Sequence, residues 1–244
     1  MSIHRRSFLE KIGLGLGVLA LPEIGWSANL LANDNRSDYI LHFGANTFQE
    51  EGVVKKIEKL GSPIVFTTNP TSSRTSTKVK LDGVLFTEIL SKELKIDKNT
   101  PWVNTLIKDR PEFVNEYLII KRMGQKIGVL GVDLESQQGT LEEILESLDA
   151  KAINLKKDFN CSQVFCLLNS QEGGDSGFNF KEVIAISGEI DFFFAESTYR
   201  KVNNLFAYSN KNGRQILLSI NANKDENSSS IEIKESAIAS FISD

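Results

Sequence analysis

The apolar pattern predicts an α/β fold, a two-sheet sandwich flanked by helices. Three observations carry this. Glu116 to Asp133 reads as two strands around a tight turn at Met123-Gly124-Gln125, and Ile127 to Val132 is nearly all apolar, as in a strand buried on both faces. After that hairpin the chain repeats helix then strand, which calls for a sheet covered by helices. It then closes with antiparallel-looking strands joined by Asn210-Lys211-Asn212-Gly213, a strong hairpin signal. A doubly wound single sheet is the competing architecture.

The chain has 244 residues, 41% hydrophobic and 25% charged, with a net charge of −4. This is globular composition, and it lacks the basic surface that nucleic acid demands. Residues 1–32 read as a signal peptide. Arg5-Arg6-Ser7-Phe8-Leu9-Glu10-Lys11 precedes the apolar run Ile12 to Leu21. That run is too short to span a bilayer, which takes about 20 residues, and has the length of a signal core. The RR-x-F-L-x-K pattern resembles a twin-arginine export signal, with cleavage near Ala28 or Ala32. The mature chain would keep 25 basic and 30 acidic residues, a net charge of −5. No Cys follows the apolar run, so no stable membrane anchor is expected.

Residues 33–37 form a polar linker, and 38–244 form the domain. Within it, Tyr39 to Phe43 reads as a strand. Glu50 to Leu60 reads as a helix, with Val53, Val54, Ile57 and Leu60 at helical spacing. Pro63 to Thr67 is a strand, followed by a Ser/Thr-rich loop over Asn69 to Thr77. Val84 to Leu94 reads as a helix and Pro101 to Ile107 as a strand. After the hairpin, Leu141 to Lys157 is a helix with an apolar stripe of Ile144, Leu145, Leu148, Ala152 and Leu155. Val164 to Leu168 is a strand and Gln171 to Gly177 a loop. Phe180 to Ile186 is a helix and Ile190 to Ala195 a strand. Leu205–Ser209, Gln215–Asn221 and Ser230–Lys234 are the closing strands. Cys161 and Cys166 are five residues apart on extended chain, beyond the roughly 7 Å a disulfide tolerates. They are read as small buried apolar residues.

The order of segments resembles the calcineurin-like metallophosphoesterases, in their bacterial 5′-nucleotidase branch. PWVNTLIKDRP at 101–111 followed by EYLIIKRMGQKIGVLGV resembles that family's strand, loop and "G-x-K-I-G-v-x-G" hairpin. QVFCLLNSQ at 163–171, IDFFFAESTYR at 190–200 and NLFAYSNKNGRQILLSI at 204–220 are similar in spacing to "v-i-x-L-S-H-x-G", "i-D-x-I-i-x-G-H-T-H" and the strand pair that follows. ILHFGANTF at 40–48 and SPIVFTTNP at 62–70 resemble the opening "I-L-H-T-N-D-x-H" and "v-l-l-l-D-a-G-D" strands. The resemblance spans about 38–235 and implies the family's four-layer sandwich.

It also implies a dinuclear metal site that clamps phosphoryl oxygens and generates hydroxide, and the residues for that site are replaced. The family's ligand positions hold Ala45, Thr47, Asn69, Pro70, Asn169, Ser197 and Tyr199. Laying Gly44 to Phe48 on the Gly-Asn-His-Glu-Phe block instead puts Ala45, Asn46 and Thr47 at its polar positions. The ligands are lost in either register. The chain has two His: His4 in the signal, and His42, which reads as a core or edge residue of its strand. Asp133, Glu135 and Glu196 read as solvated loop carboxylates.

The sequence therefore leads to an exported metallophosphatase-like protein that has lost catalysis and acts in binding or as a partner scaffold. No catalytic residue, metal or cofactor is expected. Its partner is an unidentified small molecule or protein, not nucleic acid. A ligand cleft is expected around Asn69, Asn169, Glu196, Ser197 and Tyr199. The alternatives are an active metal-dependent phosphoester hydrolase with a rebuilt site, and a solute-binding protein of another α/β fold.

Overall fold

The computed structural model of the chain describes residues 39–44, 55, 63–68, 79–88, 96–122, 124–169, 180–197, 204–222, 228–234 and 237–243. The signal, the linker, the loops 69–77 and 171–177, and all of the helix 50–60 except Lys55 lie outside these residues, as do Ala45, Thr47, Asn69, Pro70 and Tyr199.

Two sheets form. The first contains β1 (Tyr39–Gly44), β2 (Ile64–Thr67), β3 (Gly83–Leu85), β4 (Trp102–Val103), β5 (Val114–Asn115), β12 (Ser228–Lys234) and β13 (Ala237–Ser243), in the order β13-β12-β1-β2-β3-β4-β5. The second contains β6 (Leu118–Arg122), β7 (Gln125–Asp133), β8 (Gln163–Asn169), β9 (Phe192–Ser197), β10 (Asn204–Ser209) and β11 (Gln215–Ala222), in the order β10-β11-β9-β8-β7-β6. β1 to β5 are parallel neighbours, and so are β7-β8, β8-β9 and β9-β11. The single-sheet alternative is therefore not the fold, and neither is one sheet per lobe.

The sheets face each other across an apolar layer. Ile64, Phe66, Leu85 and Val103 come from the first sheet; Ile127, Val129, Phe165, Leu167, Phe192 and Phe194 come from the second. The aromatic rings interlock here. Phe192 stacks on Phe194 with centroids 4.6 Å apart, and Phe66 lies 5.3 Å from Phe194. Each such side chain gains roughly 1.5–3 kcal/mol by leaving water.

On the second sheet's outer face lie α1 (Leu141–Lys157) and α2 (Phe180–Ile186). α1 begins where predicted because Thr140 and Glu143 form a capping box: each side chain takes the other's backbone N–H, at 3.2 and 2.9 Å. Its predicted apolar stripe is buried against the sheet. Asp149 from α1 is buried too. Its carboxylate accepts the N–H groups of Gly188 and Glu189, both at 2.9 Å, and Lys211 Nζ at 2.7 Å. Both cysteines are free and buried, and burial pushes both thiols up from their ordinary range.

Several segments depart from the sequence reading. Gly83–Leu85 is a strand, not the start of a helix; the helical state is reached at Glu88. Val84 and Leu85 are fully buried on opposite faces of the sheet, in the outer and inter-sheet cores, which only an alternating strand allows. The strand expected over 101–107 stops at Val103. There Asn104 Oδ1 accepts the N–H groups of Leu106 and Ile107, both at 3.2 Å, and turns the chain. The last expected closing strand leaves its neighbours. β12 joins the other sheet, pairing antiparallel with β1. β5 and β13 have no counterpart in the sequence reading.

The hairpin that anchors the sequence reading is present. Arg122 pairs with Gln125, and Gly124 takes φ +81°. β6 begins at Leu118 opposite Val129, so β7 runs on without it. Thr105, just past β4 of the first sheet, takes over that edge. Thr105 N–H donates to Gly131 O at 2.7 Å, and Gly131 N–H donates to Thr105 Oγ1 at 3.0 Å. A Cβ on Gly131 would meet Val103 O at 2.7 Å. Gly131→Ala should therefore destabilise the fold by about 1–3 kcal/mol through overpacking. Thr105→Val should cost a similar 1–3 kcal/mol by orphaning a buried N–H, with Thr105→Ser restoring most of it. Urea denaturation of the three variants checks both.

Candidate functional site

The inter-sheet layer ends in polar residues. Along β2 the inward row is Ile64 and Phe66, and Thr68 comes two residues further on. Beyond Leu85 of β3 comes Thr87, and beyond Val103 of β4 comes Thr105. On the facing sheet, Asp133 follows Gly131 in β7 and Asn169 follows Leu167 in β8. The two-residue period keeps Asp133 and Asn169 on the side facing the opposite sheet, while Thr68, Thr87 and Thr105 lie just past the ends of β2, β3 and β4, and Thr105 reaches the facing sheet through its hydroxyl on Gly131 N–H. Thr68, Thr87, Thr105 and Asp133 are all buried. The register makes the strand ends coincide: Thr67 pairs with Val84, Leu85 with Val103, and Asp133 with Asn169. The result is a polar mouth at the C-terminal ends of the parallel strands, where ligands bind in α/β sheets.

Asn169 Nδ2 donates to Asp133 Oδ1 at 2.8 Å. Asp133 is 2% exposed, so it is not the solvated loop carboxylate expected from sequence. Burial pushes its carboxyl above the usual range. Hydrogen bonds from Asn169, Ser136 and the backbone at Glu135 offset part of that, and the nearby charge of Glu88 adds to it. Glu135 is exposed, as expected. Sequence reasoning misses Glu88 because its segment reads as mid-helix, whereas the helical state begins at Glu88, three residues past the end of β3. Among the described residues, the buried Thr68 Oγ1 has no hydrogen-bond partner.

Of the predicted cleft residues, Asn169 lies at this mouth. Glu196 and Ser197 lie in the last two positions of β9, level with Asn221 and Ala222 of β11. β9 neighbours β8, so the structure brings these strand ends together. His42 lies within β1, level with Val65 and Ser230. Among the described residues no group of three or more His, Cys, Asp or Glu can hold a metal ion. Hydroxyls, one amide and a single carboxylate do not fit a dinuclear metal centre, which needs several carboxylate and imidazole donors.

The shift on Asp133 has a sign. Its folded-state carboxyl binds protons more tightly than the ordinary 3.8 of the unfolded chain. Between those two values the native state holds more protons, so stability falls as pH rises through that window. Asp133→Asn keeps an acceptor for Asn169 and removes the buried charge. It should raise the urea midpoint at pH 7, with the gain vanishing below pH 3.8; chemical denaturation across pH 3 to 7 measures it.

No family model matches the chain, and no curated protein sequence matches it. Solved structures do. The NAD nucleotidase of Haemophilus influenzae superposes with a TM-score of 0.57 at 13% identity, over 84% of this chain. The chain spans only 55% of that nucleotidase. A hypothetical protein from Thermus thermophilus gives 0.55 at 9% identity, over 84% of this chain and 98% of its own. A phosphatase from Mycoplasma pneumoniae gives 0.53 at 12% identity, over 86% and 94%. Identities this low speak for the fold alone. The chain has the two-sheet α/β fold, flanked by helices, that nucleotidase and phosphatase structures share.

Proposed function

We propose that this chain is an exported metallophosphatase-like protein, derived from the 5′-nucleotidase branch, that no longer hydrolyses phosphoesters and binds a small molecule or protein partner at the mouth between its sheets. The observation that carries the reading is the donor set. The positions just past the apolar layer are Thr68, Thr87, Thr105, Asp133 and Asn169. The chain supplies only His4 and His42 as imidazoles. Phosphoryl transfer to water requires a metal-bound or base-activated nucleophile, and at this mouth Asp133 is the one carboxylate beside hydroxyls and an amide, with no group of three or more His, Cys, Asp or Glu among the described residues to hold a metal ion. The fold supports the ancestry and leaves the chemistry to the site.

Export rests on the Arg5-Arg6 signal pattern, with residues 1–32 removed and 38–244 forming the domain. No helix among the described residues is long and apolar enough to cross a membrane.

Two measurements test this. The purified mature chain, assayed on nucleotides and p-nitrophenyl phosphate with Mn²⁺, Zn²⁺ or Ca²⁺, should show no turnover above the buffer blank. Metal-dependent turnover abolished by Asp133→Ala or Glu196→Ala would sink the loss of catalysis and favour a rebuilt hydrolase. Mass spectrometry of the secreted chain should find its N-terminus near residue 29 or 33, consistent with cleavage after Ala28 or Ala32. An Arg5→Lys, Arg6→Lys double variant should retain the uncleaved chain in the cytoplasm.

A further inference from the structure

We propose that Asn212, in the turn between β10 and β11, is a site of spontaneous deamidation, and that Asn210 is the latch that sets its rate. Asn212-Gly213 is the one Asn-Gly pair in the sequence. Lys211, Asn212 and Gly213 are all exposed, so water reaches the turn. Gly213 takes φ +70°, and a Cβ built on it would meet nothing within 4 Å. No side chain stands between its backbone nitrogen and the amide of Asn212.

The reaction balances with water alone. The Gly213 nitrogen gives up its proton and bonds to Cγ of Asn212, and Nδ2 leaves as ammonia. Water then opens the resulting succinimide at either carbonyl, giving aspartate or isoaspartate. Asparagine is thermolabile for this reason.

The folded turn opposes the first step. Gly213 N–H donates to Asn210 O at 2.9 Å, which occupies the attacking nitrogen. Asn210 Oδ1 accepts the N–H groups of Asn212 at 3.0 Å and of Arg214 at 2.8 Å. Asn210 is itself buried, and its Nδ2 donates to Gly188 O at 2.9 Å. The ring closes only when this latch opens, and exposed turns open at a small fraction of the global unfolding free energy.

The product is built into a place that does not suit it. Asn212 Nδ2 donates to Gly188 O at 3.3 Å. The point where a Cβ on Gly188 would sit lies 3.2 Å from that Nδ2 and 2.9 Å from Asp149 Oδ2. Deamidation therefore sets a carboxylate against a carbonyl oxygen and beside a carboxylate that holds Gly188 and Glu189 to α1. It also competes for Lys211, whose Nζ lies 2.7 Å from Asp149 Oδ2. Like charges sharing one cation loosen the junction of the turn with α1.

Peptide mapping by mass spectrometry tests this on the purified full chain, held in mildly alkaline buffer either folded or in urea. The Asn212 peptide should convert to aspartate and isoaspartate forms in both samples. The folded sample should convert about tenfold more slowly, the factor that an opening free energy of about 1.4 kcal/mol supplies. Asn210→Ala should bring the folded rate close to the rate in urea and leave the rate in urea unchanged. Asn212→Asp carries the product's charge and should lower the urea midpoint. Asn212 still intact in the folded chain after about ten times the period that converts the urea sample overturns the site. A parent chain that converts equally fast folded and in urea overturns the latch, even where Asn210→Ala fails to fold. So does a folded Asn210→Ala chain that keeps the parent's rate. An Asn212→Asp chain with the parent's midpoint overturns the loosening.

Discussion

Past Val129, β7 has no neighbour on the side where β6 ended, and a buried strand edge cannot keep its backbone groups unpaired. Thr105 resolves this from the opposite sheet, with its own N–H and its hydroxyl closing on Gly131. The clasp works only because Gly131 has no Cβ, so the Val103 carbonyl can approach. It sets how close the two sheets come at one end. The aromatic layer below, with Phe66 lodged against Phe165 and Phe194, and the polar mouth above both depend on that spacing. Towards the other end a second tie crosses the gap: Arg122 of β6 pairs with Asp82 at 3.0 Å, while Asp82 also accepts Val65 N–H at 3.1 Å.

At the opposite end of the strands from the mouth, polar groups form dense networks, although Arg122 Nε and Arg214 Nε are buried without a partner among the described residues. Asp149 gathers two backbone N–H groups and Lys211, and Asn210 holds the β10-β11 turn while its Nδ2 donates to Gly188 O at 2.9 Å. Asp191 takes Val164 N–H and the side chains of Lys156 and Arg214. These networks lock α1, α2 and the second sheet together. At the mouth Asn169 donates to Asp133, and the residues that follow β2, β8 and β9, 69–78, 170–179 and 198–203, lie outside the described ones.

Similarity to a nucleotidase and a phosphatase at 13% and 12% identity speaks for the fold alone. The apolar layer that Ile127 to Val132 and Val164 to Leu168 build is what the fold requires, because changes there cost packing.

Strong local signals determined much of the architecture without any structure. The capping box and stripe of Leu141–Lys157, the glycine turn after Arg122 and the unbroken apolar run of β7 are complete within a few residues, so they are legible. Gly131 in a buried strand is visible too, but not what approaches it. The polar residues at the strand ends, Asn169 among them, can be read from residue identity. Val84 to Leu94 misleads because a short buried strand and a helix start look alike when both faces are apolar; only neighbours on both sides of β3 decide it. β5, with two residues, has no periodicity to read. β12 crosses to the other sheet through pairing with β1, a contact that joins residues as far apart in sequence as Tyr39 and Ile233. Asp133 looks like a loop carboxylate until the register places it inside β7, buried beside Asn169. Sequence determined which residues are apolar and where the strongest helix and hairpin lie. Only tertiary structure decided which polar residues share the mouth, because that depends on sheet register and on the close approach that Gly131 permits.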